Sequence, residues 1–276
     1  MMSAKTTTMT TKMTTEPNTH RIARECMGTF FLFQLQDPLS QVEAERMVDS
    51  AMEILDWADK KFSLYKTDSE ISKLNRGDLG WGDASVEQIE VRELCEAWQS
   101  RTSGFFDARS GADYDPSGVV KVWAAARAAS FLEANGIRSF TLNAGGDVYL
   151  STELKRGMLT RVGLSAPRSI RAADAGANFV LELADTGFCA VATSGSAERG
   201  EHIWATSDVE RFRQVSVIGS DYLAADVWAT ALIAGGSKAL EKFRAQCQEE
   251  NLVAVVTTAD GSLITTSGFV DLLATI

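Results

Sequence analysis

Residues Asp115 to Ala128, DPSGVVKVWAAARA, set an acid, a proline, a Ser-Gly pair and a lysine directly before an alanine-rich apolar run. A helix start offers free backbone N–H groups and a partial positive charge, which suit a phosphate. Two readings compete on this stretch alone. Either Asp115 or Ser117 caps the helix and Lys121 is a solvated first-turn side chain, or the turn and Lys121 together hold an anion. In DYLAADVWATALIAGG, Asp226 and Thr230 stand four residues apart, which on a helix stacks a carboxylate and a hydroxyl on one face. Two such oxygens are half of a magnesium site. The competing reading is an acid near a helix start and a threonine bonded back to its own chain. VATSGSAERGEHIWATSD ends an apolar run in Thr193-Ser194-Gly195 and continues as a polar loop with Arg199 and His202. Small residues there let a ligand approach the backbone, or His202 is a plain surface residue. Met27-Gly28-Thr29 before FFLFQL is a strand entrance or a ligand edge, and the NAGGDV turn is a hairpin or a place where a nucleotide comes close.

These segments need elements to position them. From Gln41 to Lys60 apolar residues recur at helical spacing behind Ser40, a suitable N-cap. Ser69 can cap a short helix carrying Ile71 and Leu74 that ends at Asn75-Arg76-Gly77, and Val86 to Gln99 fits another. The helix opened at Asp115 runs to about Ala134, after which IRSFTLNAGGDVYLS reads as strand, Gly-Gly turn, strand. Further strands are expected at NFVLELA and FCAVAT within 178–193, at QVSVIG, LVAVVTT and SLITTS, with a helix beginning near Leu223. The alternation lacks the rhythm of parallel β-α-β units. It predicts an α+β fold: one mixed domain over 23–276, with antiparallel or mixed sheets flanked by helices, behind a disordered tail over 1–22.

Composition narrows the function. With 27 basic against 37 acidic residues the net charge is -10, which argues against a nucleic-acid partner. Cys26, Cys95, Cys189 and Cys247 lack paired spacing and read as reduced and mostly buried. Only His20 and His202 are available, so a histidine-rich metal centre is excluded and a metal would be a hard cation on oxygen. The Thr- and Met-rich first twenty residues have no apolar core, so neither a secretory signal nor a membrane span is expected, and the protein is expected in the cytoplasm.

Taken in order, Met-Gly-Thr at 27–29, FSLYKTDSEISKLN at 62–75, Asp-x-x-Gly-x-x-Lys at 115–121, NAGGDV at 143–148, ATSG at 192–195 and ADVWATAL at 225–232 resemble the ApbE family, the FAD:protein FMN transferases. The short gap between GFFDARSGAD and DPSG is similar to a compact, actinobacterial-type branch. The resemblance implies magnesium-dependent transfer of FMN from FAD to a threonine hydroxyl of an acceptor protein, with AMP released. It puts Met27 and Tyr65 at the flavin and Phe105, Phe106 and Asp107 at the adenosine. Asp115 would hold the nucleotide end, Lys121 would face the pyrophosphate with His202 beside it, and Trp204 would join the cofactor contacts. Asp226, Thr230 and a backbone oxygen at Gly118 would grip magnesium. The sequence departs from the family at three places. Val122 stands where glycine is usual and would crowd the pyrophosphate. HIWATSDVE replaces His-Ile-x-Asp-Pro-x-Thr-Gly, with Ala205 in place of the acid, and Ala229 stands where some members carry an acid. A looser loop would admit water and give FMN and AMP by hydrolysis, and loss of turnover would leave an FAD-binding protein.

Overall fold

The computed structural model describes residues 19–275 apart from 111–112, 152, 155–156, 166–176 and 196–211. Alternation sets its first element. In β1 (His20–Cys26) His20, Ile22 and Cys26 are buried while Arg21, Ala23 and Glu25 are exposed, the period of two that a strand gives. Residues 20–22, assigned by sequence to the tail, are thus part of a strand, and the rest of the expected tail up to residue 18 lies outside the described residues. The segment reads as polar because one inward position carries Arg24, which pairs with Asp49 at 2.8 Å. Met27 and Gly28, with φ of 51° and 67°, turn the chain into β2 (Thr29–Leu35). Two positive φ angles are what a two-residue hairpin needs.

Ser40 caps α1 (Gln41–Phe62) in a capping box with Glu43, as its sequence suggests. Ser69 likewise caps α2 (Glu70–Arg76), which Gly77 ends in the left-handed region, and α3 (Val86–Arg101) follows. Two short strands, β3 (Arg109–Ser110) and β4 (Asp113–Tyr114), lead into α4 (Ser117–Ala134). The expected hairpin is β5 (Phe140–Ala144) and β6 (Asp147–Leu150). Then come β7 (Arg161–Ser165), β8 (Ala177–Glu182), β9 (Ala190–Gly195), β10 (Phe212–Gly219), α5 (Tyr222–Gln246), β11 (Leu252–Thr258) and β12 (Leu263–Thr265). Eight strands form one sheet in the order β1-β2-β5-β6-β9-β10-β11-β12, every described pair antiparallel. The run NFVLELA lies outside that sheet, where β8 makes its own hairpin with β7.

Each face of the sheet buries its own core. Phe31, Phe33, Leu35, Phe140, Leu142, Val215 and Val217 point toward α1, α4 and α5. Val191, Ile218, Val253 and Val255 point the other way, onto Leu181, Phe269 and Leu272. LVAVVTT is buried at all seven positions because β11 feeds both cores. Cys26, Cys95 and Cys247 are buried and Cys189 is half-buried, all four as free thiols.

Two hairpin turns nest at one end of the sheet. A Cβ on Gly145, whose φ is +63°, would lie 2.4 Å from Thr29 Oγ1, and Gly145 N donates to Phe30 O at 3.0 Å. The close approach that this glycine permits is made by the Met27–Thr29 turn. Gly145→Ala is expected to lower unfolding free energy by about 2 kcal/mol or more, since left-handed strain adds to the clash. Gly136→Ala, at φ +86° with open space around it, should cost only about 1 kcal/mol. Urea unfolding of the two variants measures the difference, and equal losses would remove the nesting argument.

Candidate active site

Helix α4 begins on Pro116, with Asp115 Oδ1 accepting from Ser117 N at 2.9 Å. Asp115 thus closes a turn onto the first helical residue, while the N-cap position itself is Pro116, which makes no side-chain cap. Lys121 is not solvated: its side chain is 11% exposed, and Nζ donates to Asp147 Oδ2 and lies 3.7 Å from Asp226 Oδ2. Asp147 opens β6 and its carboxylate is fully buried. Its other oxygen accepts from Thr193 N at 2.9 Å, and Tyr222 Oη donates to its carbonyl at 2.8 Å. Asp226 and Thr230 stand one turn apart on α5, Asp226 buried and Thr230 half-buried. Thr230 Oγ1 is 3.4 Å from Ser194 Oγ at the end of β9. Thus α4, α5, β6 and β9 bring Lys121, Asp147, Asp226, Ser194 and Thr230 together.

Asp147 is the site residue that the motif reading passed over. The signal was present in the hairpin register. Asp147 pairs across the two-residue turn with Ala144, and cross-strand partners share a face. Ala144 belongs to the inward set Phe140, Leu142 and Ala144, so the acid opposite it must also point inward. An inward carboxylate requires a cation. Lys121 supplies it.

The stretch FSLYKTDSEISKLN is held from several sides. Ser69 Oγ donates to Ser63 O at 2.7 Å and accepts from Ser72 N at 3.1 Å. Glu70 accepts from Ser85 N and Oγ at 2.6 and 2.8 Å, which ties α2 to the start of α3. Lys66 pairs with Asp59 on α1, and this partner raises the lysine's pKa. One turn earlier on the same helix face Asp56 accepts from Cys26 Sγ at 3.4 Å. Burial and that carboxylate push the Cys26 thiol up to about 12, so it is a neutral donor and not a nucleophile. The end of α1 thereby fixes both the Tyr65 turn and the strand leading to Met27. Tyr65 itself is 87% exposed. The braced turn thus presents its phenol ring to solvent.

The remaining expected residues divide. Phe106 is 3% exposed, and its ring would lie 3.0 Å from a Cβ at Gly118, so it packs in the core against the start of α4. Any contact with adenosine would have to come through the small edge of the ring left uncovered. Phe105 is half-buried against Gly235 of α5, where a Cβ would meet it at 2.3 Å. Asp107 is exposed, accepts from Arg109 N at 2.9 Å, and lines a cavity of about 260 Å³ with Trp81, Arg92 and Tyr114. Met27 is half-buried in its turn. Val122 and Ala229 are both fully buried in the core. His202, Trp204 and Ala205 lie outside the described residues. Among the described residues no three His, Cys, Asp or Glu side chains group as a metal site. The available donors are the Asp147 and Asp226 carboxylates, hydroxyls and backbone oxygens, a hard set that suits magnesium and not zinc.

Residues 27–112 and 108–256 match the model of the ApbE family. Among solved structures, the chain is similar to the flavin transferase ApbE from Vibrio cholerae, at 18% identity over 93% of this chain and 99% of that one, with a TM-score of 0.70. The apo form of the Pseudomonas stutzeri flavinyl transferase ApbE gives 17% identity over 94% and 99%, at 0.70. An apbe protein from Thermotoga maritima gives 17% over 94% and 100%, at 0.73. At such identities the likeness is one of fold. No curated protein sequence matches the chain.

The buried ion pair makes a checkable demand on stability. Lys121→Met and Asp147→Asn should each cost about 3 kcal/mol, because the first leaves two buried carboxylates without their cation and the second leaves Lys121 only the more distant Asp226. The double variant should cost well under the sum, and a denaturant double-mutant cycle reads the coupling. Additive losses would mean that the two side chains do not depend on each other.

Proposed function

The chain belongs to the ApbE family, and on that premise we propose that it is a flavin transferase, moving FMN from FAD to a threonine hydroxyl of an acceptor protein. The observation that carries this reading is Lys121, buried at a helix start between Asp147 and Asp226 with Thr230 one turn beyond. In the transfer, the threonine oxygen bonds to the phosphorus nearer riboflavin and the bond from that phosphorus to the bridging oxygen breaks. AMP leaves with that oxygen, and the hydroxyl proton passes to AMP or water. Such a reaction asks for positioning and charge neutralisation.

The residues divide that work. Lys121 meets the charge that grows on the pyrophosphate, and Asp147 keeps its ammonium aimed from the sheet side. Tyr65 stacks on the flavin ring, with the Met27 turn at its edge. Magnesium is the finer part of the proposal, with Asp226, Thr230 and the Gly118 carbonyl as its holders; when bound it neutralises phosphate oxygens. No described helix is long and apolar enough to cross a membrane. A cytoplasmic setting is part of the same proposal, since four free thiols suit a reducing compartment.

Incubation with FAD, magnesium and a threonine-bearing acceptor should yield AMP together with flavin-linked acceptor, read by nucleotide chromatography and mass spectrometry. Lys121→Ala should lower the rate by roughly 10²–10³, the loss typical of one preorganised charge-stabilising group. Asp226→Ala or a chelator should remove turnover while FAD fluorescence titration still shows binding. FAD should bind more tightly than FMN. Free FMN in the same mixtures measures hydrolysis, and binding without either product would make the chain a flavin-binding protein and end the transferase reading.

A further inference from the structure

The stretch FSLYKTDSEISKLN ends in a residue with no role in the chemistry above. Asn75, the sixth residue of α2, donates from Nδ2 to Tyr114 O at 3.0 Å and accepts at Oδ1 from Tyr114 N at 3.0 Å. One amide side chain thus satisfies both backbone groups of one residue, as a neighbouring strand would. Tyr114 needs that support. Strand β4 is two residues long and, among the described residues, pairs only with the two residues of β3. A ladder that short is marginal by itself.

What Tyr114 carries makes its position matter. The next residue is Asp115, whose N donates to Ala108 O at 2.7 Å and whose carboxylate accepts from Ser117 N at the start of the helix that bears Gly118 and Lys121. At the other end of the same segment is the braced Tyr65 turn, and α2 is the connection between the two. We propose that Asn75 is a positioning residue that fixes the spacing between the Tyr65 platform and the Asp115–Lys121 turn. This rests on the flavin-transferase reading, in which FAD spans both. A ligand that touches only one of the two places does not sense the clamp. A dinucleotide that must touch both does.

The geometry separates Asn75 from Lys121. Lys121 is anchored to the sheet by Asp147 and keeps its aim when the clamp is lost. Loss of Asn75 therefore weakens substrate capture and not the chemical step. Asn75→Ala is expected to weaken FAD binding about tenfold while riboflavin, which has the ring but no phosphate, changes by less than about twofold. KM for FAD should rise by a similar factor, with kcat within about threefold of the parent. Asn75→Asp keeps the acceptor for Tyr114 N but sets a carboxylate oxygen against Tyr114 O, so it should weaken FAD at least as much. Amide hydrogen exchange over 113–118 should quicken in both variants while α1 exchanges as before.

Riboflavin and FAD weakening together, or FAD binding unchanged in variants that fold, would overturn the proposal. Faster exchange at 113–118 without any change in FAD binding would leave a structural clamp only, which also overturns it. Parent protein that binds no FAD at all would instead remove the transferase reading on which the proposal depends.

Discussion

An ammonium group leaves water only where anions meet it, and Lys121 meets two. That requirement fixes much of the molecule. Asp147 reaches the lysine only if β5 and β6 turn in two residues, which holds the acid opposite Ala144 on the helix-facing side. Asp226 reaches it only if α4 and α5 pack closely, and both helices bury alanine: Ala124, Ala125, Ala128 and Ala129 on one, Ala224, Ala225, Ala229 and Ala231 on the other. Small side chains let helix axes approach, so a lysine on one can reach a carboxylate on its neighbour. The alanine-rich run after Lys121 is thus the surface that makes the ion pair geometrically possible.

The platform at Tyr65 follows the opposite logic. Ser69, Glu70, Lys66 and Asn75 are each tied to a different neighbour, namely the Ser63 carbonyl, the start of α3, α1 and β4. Bracing a turn on so many sides removes most of its conformational freedom. Exposure of a large aromatic is unfavourable unless something covers it, and at Tyr65 the scaffold maintains that exposure.

Legibility of the chain tracked how local the cause was. Helices α1 to α4, the β5–β6 hairpin and the strands β9 to β11 were readable because caps, periods and glycine turns are written within a few residues. Strand β1 was hidden by Arg24, an inward residue whose reason is Asp49 on another element. Strand β8 was expected at NFVLELA but β7 was not, and the pattern of one strand does not say which sheet it joins. Within the site, the motifs named Lys121, Asp226 and Thr230 but not the faces on which neighbours lie. Successive helical residues point about 100° apart, so Lys121 enters the site while Val122 enters the core. Asp147 looked like a turn residue because it follows two glycines, and only its pairing with Ala144 across that turn marks it as inward.

The pair Phe105-Phe106 shows how a hydrophobic contact can govern a polar site without touching its chemistry. Ser103 and Gly104, at φ of 57° and 82°, break the chain away from α3, and Phe106 N donates to Thr102 Oγ1 at 3.0 Å. This holds two adjacent rings on a stiff loop. One ring lies against Gly118 of α4 and the other against Gly235 of α5, and in both places a Cβ would collide or crowd. The neighbouring Gly236, with φ 52° and ψ -135°, bends α5 at that contact. The two phenylalanines therefore join the helix that carries Lys121 to the helix that carries Asp226 and Thr230. A ligand contact needs only the edge of such a ring, whereas the separation of two helices needs its whole volume, and the glycines record which demand shaped these positions.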